Sequence, residues 1–165
     1  MGRWKPPPPA SSPYITRAGY EQLQQELKDI WLRRRDVVKA LAAAAAEGDR
    51  SENAEYIYRK KELGGIDYRI RYLQKRLPKL NIVDQEQTAS QDKVFFGAWV
   101  LLEREDGTQV EYRVVGPDET DAATNCISMD SPLAKALLRK TIDDEVRITV
   151  KDNRDEFLIT GIRYK

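Results

Sequence analysis

Residues 41–56 of the chain read LAAAAAEGDRSENAEY, and within them Asp49 and Glu52 stand three positions apart. At that spacing two helical side chains start about 5–6 Å from each other, so both carboxylates can reach one hard cation or one water. Two carboxylates alone hold Mg²⁺ poorly, because the ion keeps its waters and takes further oxygen ligands such as phosphates. The pair therefore suits half of a site that another molecule completes. A second reading stays open beside it. Asp49 could cap a helix while Glu52 reaches back to it, a capping box with Asp in the cap role, and acidic side chains at a helix start also suit the macrodipole. Ser51 is an equally good cap, so that job does not need both carboxylates.

Composition narrows what else the chain can do. Among 165 residues there is no histidine, which excludes His-based acid–base chemistry and ordinary zinc sites. The single cysteine, Cys126, rules out an intramolecular disulfide and fits a reducing, cytoplasmic setting. No apolar run approaches the ~20 residues of a membrane span. The net charge of +1 hides an asymmetry: residues 1–83 hold 17 Lys+Arg against 10 Asp+Glu, and residues 84–165 hold 11 against 17. The two halves thus face different partners, or different parts of one.

These residues need elements to hold them. Residues 1–13, MGRWKPPPPASSP, contain four consecutive prolines and no apolar core of a secretory signal. They read as an extended, disordered tail, or as a ligand for a proline-binding partner. From residue 14 to 83 the pattern is helical, with Thr16 or Ser12 as possible caps. Tyr20, Leu23, Leu27, Ile30, Val37 and Leu41 fall at 3- and 4-residue spacings, the pattern halts at Gly48, and it resumes through Tyr56, Leu63, Ile66, Ile70, Leu73 and Leu77. Two helices of about 28–30 residues would form an antiparallel coiled-coil hairpin with the acidic pair at its tip. Gly64-Gly65 interrupts the second helix opposite Arg34 and Arg35 and reads as a bend or a close backbone approach, while Arg34 falls on the seam itself. Residues 84–92 read as a linker. From 93 to 165 the chain has strand-like runs at 93–103, 110–115, 145–150 and 156–164, and a short helix capped by Ser131 with Pro132 in its first position. The fold class expected is α+β: a helical hairpin followed by an antiparallel sheet with one helix across it.

The same residues carry a resemblance. GDRSENAEY at 48–56 resembles the loop of the bacterial Gre transcript cleavage factors, and ITRAGYEQL at 15–23 resembles their start. KVFFGAWV at 93–100 and SMDSPLAKAL at 128–137 resemble their C-terminal domain. The match runs in order over about residues 14–165, and Arg50-Ser51 with the two C-terminal stretches points to the GreB branch. The resemblance implies an FKBP-like C-terminal domain that binds RNA polymerase, and a coiled coil that enters its secondary channel when the enzyme has backtracked. It implies that Asp49 and Glu52 hold the second catalytic Mg²⁺, shared with the polymerase and not bound tightly by this protein alone, and orient the water that cuts the extruded RNA. Ser51, Asn53, Glu55 and Tyr56 would position the water or the RNA. Arg59, Lys60 and Arg69 would hold the RNA 3′ end by its phosphates, and Asp130, Ser131 and Pro132 would dock on the polymerase's protruding coiled coil, helped by exposed apolar positions near Ile127 and Met129. A monomer with no membrane partner is expected, which lends its carboxylates to the polymerase rather than acting as an enzyme itself. Three rivals remain in view: a channel regulator that does not cleave, an FKBP-like peptide-binding or prolyl-isomerase module with a helical spacer, and a coiled-coil adaptor.

Overall fold

The computed structural model of the chain describes residues 10–48, 53–84 and 92–164. It divides into two units, one of residues 18–80 and one that joins the residues before 18 to those after 80.

The first unit is a helical hairpin. Helix α1 (Arg17–Ala46) and helix α2 (Ala54–Arg76) form its arms, followed by a 3-10 turn at Leu77–Lys79. At 1.5 Å per residue the arms measure about 45 and 35 Å, so the second is shorter than the pattern suggested. Both ends contribute: α2 starts only at Ala54, and Pro78, which cannot supply an N–H to an α-helical bond, turns the last residues into 3-10 form. Val37, Ile66 and Ile70 are buried in the seam, flanked by Leu27, Ile30 and Leu63. Polar pairs fix the antiparallel register. Arg33 bonds Glu62 at 2.6 Å, Arg34 bonds Asp67 at 2.7 Å, and Arg69 bonds Glu26 at 2.8 Å. Arg34, unexplained by hydrophobic spacing, is thus on the seam because it faces a carboxylate across it. Gly64 and Gly65 lie inside an unbroken α2, and a Cβ added to either meets nothing within 4 Å. The expected close backbone approach is absent there, because both glycines face away from the buried seam.

The second unit is built on a five-stranded sheet in the order β5-β4-β3-β7-β6, from β3 (Trp99–Glu103), β4 (Gln109–Val115), β5 (Cys126–Ser128), β6 (Glu145–Val150) and β7 (Asn153–Arg163). All its neighbours are antiparallel except β4 and β5. Helix α3 (Pro132–Leu137) packs Ala134 and Leu137 into a core with Val100, Leu102, Val114, Val146, Phe157 and Ile159. The apolar run at 93–103 is not one strand. Gly97 takes φ 87 and Ala98 N–H bonds the Phe95 carbonyl, so the chain turns before β3 begins. Two short strands were illegible in the sequence: β1 (Tyr14–Ile15) pairs in parallel with β2 (Asn81–Ile82), which brings both ends of the hairpin sequence into this unit.

Candidate functional site

At the hairpin tip a side chain bridges the two helix ends. Asn53 is the N-cap of α2, and its Oδ1 accepts the Tyr56 N–H at 3.1 Å. Its Nδ2 donates at 2.8 Å to the Ala44 carbonyl in the last turn of α1, which also accepts the Glu47 N–H at 3.2 Å. A carboxamide offers an acceptor and a donor at once, which neither a carboxylate nor a hydroxyl in the same geometry supplies as well. The sequence offered Asp49 or Ser51 as the cap of the second helix; the cap is Asn53, because α2 starts only at Ala54. Asp49, Ser51 and Glu52 lie outside the described residues. Gly48, at φ 128, ends α1 in a conformation that L side chains rarely adopt. Glu55 sits in the first turn of α2 and accepts from Arg59 Nε at 2.8 Å, and Tyr56 is half-buried.

Of the three expected RNA contacts, two are already ion-paired. Arg59 bonds Glu55 and, at 2.9 Å, Glu62, and these hydrogen bonds raise its pKa further. Glu62 is held below the usual carboxylate range, first by its bond from Arg33 and then by Arg59. Arg69 bonds Glu26 and lies 5.3 Å from the Tyr72 ring centroid. Lys60 is exposed.

Asp130 and Ser131 lie between β5 and α3, and Pro132 is the first residue of α3. Ser131 Oγ accepts the Ala134 N–H at 3.2 Å and donates to the Ser128 carbonyl at 2.7 Å, so its capping role is present. Pro132 opens α3 and is exposed. Asp130 accepts two hydrogen bonds from Ser12, whose part in this unit no sequence pattern announced. Ile127 and Met129 are half-buried against the core rather than exposed, since β5 runs alongside β4.

Two family descriptions match the chain: "Transcription elongation factor, N-terminal" over residues 13–82, and "Transcription elongation factor, GreA/GreB, C-term" over residues 88–164. The chain belongs to the GreA/GreB family of transcription elongation factors. Transcription elongation factor GreB of Xanthomonas axonopodis pv. citri is 54% identical over 166 residues, covering 99% of this chain and 98% of that one. Its namesake in Pasteurella multocida is 56% identical over 157 residues, covering 94% and 99%. Among solved structures, that of the transcription factor Gfh1 is 28% identical, covers 93% of this chain and 99% of its own, and has a TM-score of 0.45. Among the described residues, no group of three or more His, Cys, Asp or Glu could hold a metal ion, and no helix is long and apolar enough to cross a membrane.

Proposed function

We propose that the protein binds RNA polymerase, places its hairpin tip in the secondary channel, and stimulates Mg²⁺-dependent cleavage of the 3′ end of backtracked RNA. The cap is the observation that carries this reading. Asn53 satisfies the start of α2 and ties it to α1, so helix capping does not call for the neighbouring carboxylates. On this reading the task of Asp49 and Glu52 lies outside the fold, in a chain whose family acts on transcript elongation.

The donor set suits a hard ion: two carboxylates are oxygen ligands, and they are too few for the octahedral shell of Mg²⁺ without help from the polymerase and the RNA phosphates. When bound, the shared ion would neutralise charge on the phosphate and favour in-line displacement by water. Asp49 and Glu52 would orient that water, Asn53 would hold the tip backbone in register, and Lys60 would lie along the arm that leaves the tip. The protein would lend these groups as a monomer and have no hydrolytic activity by itself. The compartment would be the cytoplasm, where the polymerase works.

The test is a backtracked transcription complex labelled at the RNA 3′ end. Adding the protein with Mg²⁺ should release labelled fragments and return the complex to elongation. Binding without fragment release would leave a non-cleaving channel regulator, and the absence of binding would remove the polymerase from the account.

A further inference from the structure

The segment from Ser12 to Thr16 crosses the second unit as a strap. At its near end the Ser12 N–H donates to Asp130 Oδ2 at 2.9 Å, and Ser12 Oγ donates to Asp130 Oδ1 at 2.5 Å. In its middle, Pro13 and Ile15 carbonyls accept the N–H groups of Asn81 and Val83 at 2.7 and 2.9 Å. There the Tyr14 carbonyl lies so near Gly116 that an added Cβ would stand 2.0 Å from its oxygen, a contact no other residue type tolerates. At its far end Thr16 N–H and Oγ1 both donate to Glu119, at 3.1 and 2.9 Å, and Glu119 also accepts the Gly116 N–H at 3.1 Å. Ile15 is completely buried and Thr16 nearly so.

The strap therefore does more than end a chain. It is pinned at 116–119 and along β2, and from that fixed base Ser12 grips both oxygens of Asp130. Asp130 lies within the turn that leads into α3, where Ser131 caps the helix and Pro132 faces solvent. A carboxylate bonded twice by one residue has its plane and its rotamer set together, with little freedom left in the backbone that carries it.

We infer that Ser12 is a positioning residue for docking: it fixes the Asp130 carboxylate so that Asp130, Ser131 and Pro132 meet the polymerase in one prepared shape. This rests on the proposed polymerase docking of those three residues and adds to it a residue and a mechanism. A loop ordered before contact does not lose that freedom on binding, so the benefit falls on affinity and not on the chemical step.

The experiment measures cleavage of backtracked complexes against the concentration of full-length protein, giving a half-saturating concentration and a plateau rate, with thermal unfolding alongside. Wild type must first bind the polymerase in a direct assay; if it does not, the docking reading fails, which is a different result from failure of the strap. Ser12→Ala should raise the half-saturating concentration about 5- to 10-fold, with plateau rate and melting temperature unchanged, and Ser12→Thr, which keeps the hydroxyl, should restore it. In an Asp130→Ala background, Ser12→Ala should add nothing to the half-saturating concentration, since the inferred effect on docking runs through that carboxylate. An unchanged half-saturating concentration, a loss that tracks the melting temperature, a fallen plateau, or an equal further loss in the Asp130→Ala background would each overturn the inference.

Discussion

Asn53 spans two helix ends with one carboxamide, and its two halves can be separated by substitution. Asn53→Asp keeps an acceptor for the Tyr56 N–H but gives up the donor to Ala44, whereas Asn53→Ala loses both. We expect Asn53→Ala to destabilise the hairpin by about 1 kcal/mol or somewhat more, and Asn53→Asp by less, as read by chemical unfolding. Asp49→Asn is predicted to do the opposite of a cap variant: the melting temperature stays put while cleavage in stalled complexes falls about 100-fold or more, the order of a lost proton-handling or ligand group. If stability drops and cleavage survives, the tip carboxylate is structural after all. The candidate tip residues were legible by type and spacing, but the choice of cap was not, because Asp49, Ser51 and Asn53 are all good caps and only the position where α2 starts selects among them.

At the scale of elements, the glycine pair in α2 is a measurable weakness. Gly64 and Gly65 are exposed, and nothing lies within 4 Å of where a side chain would begin. Replacing both by alanine should stabilise the hairpin by about 1 kcal/mol per site through helix propensity alone, shown as a higher unfolding midpoint in denaturant. The sheet unit holds a group whose pH response has a definite sign. Burial raises the pKa of Tyr164, whose hydroxyl donates to the Lys93 carbonyl and accepts the Phe95 N–H, the latter partly opposing the shift. The folded state keeps the phenol protonated longer than the unfolded chain does, so this contribution is complete below about pH 10 and is lost as pH rises beyond it. Tyr164→Phe should flatten that alkaline decline in a titration of unfolding free energy. Helices with many repeats of one spacing were easy to read in sequence. The two-residue strands β1 and β2 were not, since a strand that short has no period and exists only because its partner is 67 residues away.

Over the whole chain, charge is divided: the first 83 residues are net basic and the remainder net acidic. Within the basic part, however, the cations differ in what they are free to do. Arg59 and Arg69 are occupied by Glu55, Glu62 and Glu26, while Lys60 is exposed. Lys60→Ala should therefore reduce the salt dependence of RNA engagement by roughly 0.7 in the log–log slope, the value for one single-strand phosphate contact. Arg69→Ala should change that slope less and lower hairpin stability instead, through the loss of its cross-hairpin pair. A larger slope change for Arg69 than for Lys60 would mean that its ion pair opens for the RNA.

The sequence by itself determined the α+β class, the hairpin, the acidic pair near its turn and the family resemblance, because these depend on local periodicity and on short contiguous runs. Tertiary structure decided which residue caps the tip, which arginines are already spoken for, and that Ser12 reaches Asp130 across 118 positions of chain. Such long-range hydrogen bonds leave no spacing to read: their partners are set by where folding brings the backbone, and a serine in a proline-rich stretch looks the same with or without a carboxylate waiting for it.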